Sequence, residues 1–152
     1  MKHKRILIVL LILTLCFIWG NSMMPASISG AISERIKDII NILLGGFERG
    51  ETLSGDGVLR KIAHASEFGV LGIELTLIYR NAIKEKLTAI AFYGLAVAVI
   101  DETIQLFSEG RAGLVKDVWI DFTGFTFGVL LMIFVIGRIK SKAVRETCSA
   151  CN

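Results

Sequence analysis

Proline occurs once in 152 residues, at Pro25, and charged side chains make up only 20% of the chain. Without proline, helices can run long and unbroken. With so few charges and a mean hydropathy of +0.64, a soluble domain of this length is a poor fit. Histidine is limited to His3 and His64, which excludes an H-E-x-x-H metal site. Cysteine is limited to Cys16, Cys148 and Cys151, which excludes a disulfide framework. Cys148 and Cys151 form a lone C-x-x-C, half of what a structural zinc requires; the plain reading is a disordered, reduced tail. There is no P-loop, dinucleotide fingerprint, nucleophile elbow or Ser-x-x-Lys, so the familiar soluble-enzyme chemistries lose support. The net charge of +3 comes from basic residues that flank apolar runs, so nucleic acid is not an expected partner.

What the chain does have is long apolar blocks. A bilayer core needs about 20 mostly apolar residues per helix, and four blocks fit, at 6–23, 62–79, 87–107 and 118–136. The fold class expected is all-α: a polytopic membrane protein built as a four-transmembrane-helix bundle. The first block follows Lys2, Lys4 and Arg5 like a signal peptide, but no small-x-small cleavage pattern follows, so an uncleaved span is favoured. Between the first two blocks, Ile32, Ile36, Ile39, Ile40, Leu43, Leu44 and Phe47 recur at helical spacing, with charges on other faces. That pattern predicts an amphipathic helix over 31–47, extracytoplasmic or interfacial. Residues 1–140 then form a single membrane domain and 141–152 a cytoplasmic tail. Lys and Arg concentrate at the N-terminus, around 80–86 and at 138–145, segments that share one side in a four-span arrangement; by the positive-inside rule both termini are cytoplasmic.

In this orientation the polar residues of three spans meet at one level. His64 and Glu67 lie near the outer end of the second span, Asp101, Glu102 and Gln105 near that of the third, and Asp117 and Asp121 open the fourth. Lys61 precedes His64, and Arg111 lies in the short outer loop. Glu74 is the deeper exception. Intramembrane charges are costly and face a bundle interior or wet cavity, so the expectation is a polar pocket open to the extracytoplasmic side. Spacing agrees: His64 and Glu67 are three apart and Asp101 and Gln105 four apart, while Asp121, Gly124 and Gly128 follow one stripe. Gly124 and Gly128 form a G-x-x-x-G pattern suited to close helix contact.

Lys61, His64, Glu67, Asp101, Glu102, Gln105, Arg111, Asp117 and Asp121 are therefore the candidate ligand-binding residues. His64, Glu67, Asp101 and Glu102 are the candidates for general acid or base, and whether any reaction occurs stays open. The same set could hold a divalent metal of zinc or manganese type, although no specific metal motif is present. It could equally be a structural ion-pair network in which Arg111, Lys61 and His64 neutralise the acids.

Arg60-Lys61-Ile62-Ala63-His64-Ala65-Ser66-Glu67-Phe68 with Leu71-Gly72, then Asp101-Glu102-Thr103-Ile104-Gln105, Gly110-Arg111, Asp117, Asp121, Gly124 and Gly128, resembles the VanZ-like family as an ordered set. Trp19, Ser22 and Pro25 resemble its first-span exit, so the likeness covers 19–128. Departures are Asp121 where Asn is frequent, Phe68 where Tyr is frequent, and Ser108-Glu109-Gly110 where Pro-Gly is usual. The resemblance implies a small multi-pass protein of the bacterial cytoplasmic membrane, linked to low-level resistance to teicoplanin and similar lipid-tailed glycopeptides. Its implied partners are the bilayer and an envelope lipid, a cell-wall precursor or the lipoglycopeptide itself. The alternative is a non-catalytic scaffold whose partner surface is the amphipathic segment.

Overall fold

The computed structural model describes residues 2–43 and 56–150. Five helices follow in order: α1 (Lys2–Ser22), α2 (Ala26–Leu43), α3 (Asp56–Ile78), α4 (Ile83–Gln105) and α5 (Val115–Ala150). Among the described residues there is no strand.

Local chemistry sets the boundaries. Pro25 cannot continue α1, and its fixed φ suits the start of a new helix; the amides of Ile28 and Ser29 bond back to its carbonyl. A four-residue turn, closed by the Ala82 amide on the Tyr79 carbonyl at 2.8 Å, folds α3 onto α4 as an antiparallel pair. The connection 106–114 turns at Gly110, whose φ of 72° is a conformation that favours glycine. The same connection is tied to the start of α2 by the Ala26 amide on the Glu109 carbonyl at 3.0 Å.

Three helical stretches, His3–Ser22, Ile83–Gln105 and Val115–Lys142, are long and apolar enough to cross a membrane. Helix α3 has the length at 23 residues, yet Arg60, Lys61, Glu67 and Glu74 keep it out of that group. It is nevertheless the centre of the bundle, in contact with all four other helices. Its seam with α5 is the tightest. Gly124 sits on the Ala65 backbone, Gly128 on the Gly69 backbone and Gly72 on that of Phe125, so the stripe expected to allow close helix approach lies at that contact. Phe68, Leu71, Leu75, Phe125 and Val129, with Ile18 from α1 and Ile90, Val97 and Ala98 from α4, form the buried core. Phe17, Phe92, Phe127 and Phe134 instead face outward, an unusual load of exposed aromatic surface for water and an ordinary one for lipid.

Two elements differ from their sequence expectation. Helix α2 begins five residues before 31, and residues 44–47 lie outside those described. It turns Ser29 and Ser33 inward and leaves Ile28, Ile32, Ile36, Ile39 and Ile42 exposed. The tail is not a loose end. Helix α5 continues without a break to Ala150, because no glycine or proline follows Gly137 and the segment is rich in strong helix formers such as Lys, Arg and Ala. Cys148 lies on this helical backbone, and Cys151 lies outside the described residues.

Candidate functional site

The C-terminal ends of α1 and α4 and the N-terminal parts of α3 and α5 meet at one end of the bundle, and there the polar side chains gather. Asp101 is the hub. It is fully buried and accepts hydrogen bonds on both oxygens: Ser22 Oγ donates to Oδ1 at 2.7 Å and Gln105 Nε2 to Oδ2 at 3.0 Å. Gln105 follows Asp101 by one helical turn, the spacing that lets two side chains of one face touch. His64 Nδ1 stands 3.8 Å from Asp101 Oδ2, beyond hydrogen-bond reach, and has no other partner. Asp121 is buried across from both, on α5. One ligand atom from each of His64, Asp101 and Asp121 lies within 4.8 Å of the others.

A second group surrounds Arg111. Its Nη2 donates to the Asn21 carbonyl at 3.2 Å, and Asn21 Nδ2 donates to Glu67 Oε1 at 3.0 Å. Arg111 Nε and Nη1 and Glu67 Oε2 are buried without a hydrogen-bond partner. Burial and then the nearby Arg60 charge pull Arg111 below the ordinary guanidinium value, although a guanidinium stays charged. Lys61 Nζ pairs with Asp117 Oδ1 at 3.0 Å.

All nine expected residues therefore lie at this end, but with different partners. Asp101 and Gln105 are bonded together, and His64 and Asp121 adjoin them. Lys61 and Asp117 neutralise each other. Glu102 accepts the Leu114 amide at 2.8 Å, fixing the chain where α5 begins. Glu74, deeper in α3, accepts from Thr14 of α1 at 3.0 Å. Of the ion-pair network expected as the alternative, the pairs Lys61–Asp117 and His64–Asp101 are present. Among the described residues no carboxylate comes within ion-pair distance of Arg111, and its one hydrogen bond goes to a carbonyl. Three participants were missed from sequence. Asn21 carries no reading of its own, Ser22 resembles the exit of the first span, and Ser108, which donates to the Ser22 carbonyl at 2.7 Å, lies in the segment before Arg111. The available signal was a pair of small polar residues directly after an apolar run.

Glu102 supports a direct prediction. Glu102→Ala removes the acceptor that holds Leu114, while Glu102→Gln retains a carbonyl oxygen. A charge-assisted bond contributes about 1.5–3 kcal/mol, so trypsin cleavage at Lys116 should be roughly tenfold faster in the alanine variant. Equal rates for the two variants would show that this bond does not hold the connection.

The family model described as VanZ/LLP1 matches residues 7–136, so the chain belongs to that family. No curated protein and no solved structure matches it.

Proposed function

We propose that this VanZ/LLP1 protein is a multi-pass protein of the bacterial cytoplasmic membrane whose outward-facing polar pocket binds or modifies a cell-envelope component, and that it thereby lowers susceptibility to teicoplanin and related lipid-tailed glycopeptides. Helix α3 is the second of four spans, added to the three apolar ones, with its charges shielded inside the bundle, and both termini are cytoplasmic because Lys and Arg cluster at that side. Helix α2 lies in the outer interface with its isoleucine ridge in the lipid.

The observation that supports a ligand is the set of buried polar atoms without partners: His64 Nδ1, Glu67 Oε2, and Nε and Nη1 of Arg111. Each such atom costs about 1–3 kcal/mol if it stays unsatisfied. A bound headgroup or precursor would satisfy them. Arg111 would present its free guanidinium edge to an anionic group, and His64 or a neighbouring carboxylate would serve as base if a reaction occurs.

His64→Ala and Asp101→Asn, at matched membrane abundance, should each return teicoplanin susceptibility to that of cells lacking the protein. Unchanged resistance in both would remove the pocket from the function. A scaffold reading draws on the exposed ridge Ile28, Ile32, Ile36 and Ile39. It requires that serine substitutions along this ridge abolish the phenotype while His64→Ala leaves it intact.

A further inference from the structure

The geometry points to a divalent transition-metal site of zinc or manganese type, with His64, Asp101 and Asp121 as its three protein ligands. The inference deepens the pocket reading and rests on the same end of the bundle, but metal binding can be measured apart from any phenotype.

Each ligand comes from a different helix, α3, α4 and α5, and exposures of 5%, 0% and 2% place all three inside the protein. Buried carboxylates and imidazoles ordinarily find partners. Here the imidazole does not, since His64 Nδ1 is buried and unbonded. Its 3.8 Å separation from Asp101 Oδ2 is too long for a hydrogen bond. It is close to the roughly 3.3 Å between two ligands of a tetrahedral ion bound at about 2.0–2.1 Å. Contraction by about half an ångström would complete that pair, and Asp121 lies within the same 4.8 Å group.

The surroundings suit a cation. A cavity of about 10 Å³ is lined by two of the three ligands, His64 and Asp121, together with Glu102, Gln105 and the basic side chains Arg60 and Lys61; it has the volume of one water or ion. Ser22 and Gln105 each donate to one Asp101 oxygen. Outer-shell donors of this kind fix the orientation of a ligating carboxylate. Glu67, Asp101, Glu102, Asp117 and Asp121 gather here with Arg60, Lys61 and Arg111. One imidazole with two carboxylates suits zinc or manganese better than magnesium or calcium, which favour all-oxygen sites. Three protein ligands leave a position open for water or for a ligand oxygen, as catalytic metal sites do.

The full chain, purified in detergent and stripped with a chelator, would be titrated with Zn²⁺, Mn²⁺ and Mg²⁺ by calorimetry, and bound metal counted by mass spectrometry. Near one equivalent of Zn²⁺ or Mn²⁺ per chain is expected, with Mg²⁺ bound at least tenfold more weakly. His64→Ala and Asp121→Asn should each weaken binding at least tenfold, whereas His3→Ala should not. A substoichiometric metal count in the wild-type chain, or unchanged binding in both ligand variants, overturns the site. The Mn²⁺-loaded wild-type chain gives a reading that does not depend on whether the variants fold. Pulsed electron paramagnetic resonance should show one coordinated histidine nitrogen, and its absence overturns the assignment. If susceptibility depends on His64 but no metal binds, the pocket stands without a metal. If metal binds and susceptibility is indifferent to His64, the site stands and the resistance reading falls.

Discussion

Asp101→Ala should lower stability by about 2–6 kcal/mol, the cost of stranding two buried donors at about 1–3 kcal/mol each. The carboxylate is fully buried, and truncation strands two donors, Ser22 Oγ and Gln105 Nε2, beside an imidazole that already lacks a partner. An opposing effect exists. Removing one negative charge relieves repulsion from Glu67, Glu102 and Asp121. Asp101→Asn separates the two contributions, because it removes the charge but keeps an oxygen for Ser22 and turns an amide toward the Gln105 amide. If hydrogen bonding dominates, the asparagine variant should lose about 1–3 kcal/mol; if repulsion dominates, it should gain stability. Thr103→Ala is the control. Its side chain is exposed and bonds only to the Val99 carbonyl of its own helix, so its effect should stay within about 0.5 kcal/mol. Unfolding in detergent, followed by fluorescence of Trp19 and Trp119, gives all three values. An alanine variant at position 101 no less stable than Thr103→Ala would mean that Asp101 is not the hub.

Gly124→Val should be among the most damaging substitutions on α5. A Cβ at Gly124 would meet the carbonyl oxygen, carbonyl carbon and Cα of Ala65. These are backbone atoms within a helix, which cannot swing aside as a flexible side chain can. Overpacking costs about 1–3 kcal/mol where side chains can adjust, and a backbone obstacle puts this case at the upper end or beyond. The site should fail with the seam, since Asp121 lies one turn before Gly124 and would be carried away from His64. Gly137→Val meets nothing within 4 Å, so it should be neutral or gain a few tenths of a kcal/mol from lost glycine flexibility. Equal unfolding midpoints for the two valine variants would show that the α3–α5 contact is looser than drawn.

The seam and the hub were legible for a shared reason. Gly124 and Gly128, like Asp101 and Gln105, are four apart in sequence, and one helical turn converts that spacing into a shared face. Contacts between distant segments leave no such trace. Ser22 meets Asp101 across 79 positions and Asn21 meets Glu67 across 46, so nothing periodic marks either pair. Neighbours on one helix also diverge. Asp101 and Glu102 are adjacent in sequence, yet one binds Ser22 while the other holds Leu114, because a step of one residue turns about 100° around the axis. The orientation of α2 was hidden differently. Its isoleucine repeat predicted a helix with an apolar stripe, but the bundle takes the Ser29 and Ser33 side. Periodicity finds a stripe and does not say whether protein or lipid will cover it.

Helix α3 has a consequence for how the chain is made. Taken alone it partitions into a bilayer poorly, because Arg60, Lys61, Glu67 and Glu74 must all be sheltered. Thr14 and Asn21 of α1, which shelter Glu74 and Glu67, emerge from the ribosome before it. Asp117 of α5, the partner of Lys61, emerges some fifty residues later. In the four-span arrangement proposed above, helix α3 would therefore enter the bilayer half-escorted, and its charged end would wait for α5. Nascent chains truncated before 117 should be the vulnerable ones, exposed to extraction and proteolysis until the last helix arrives.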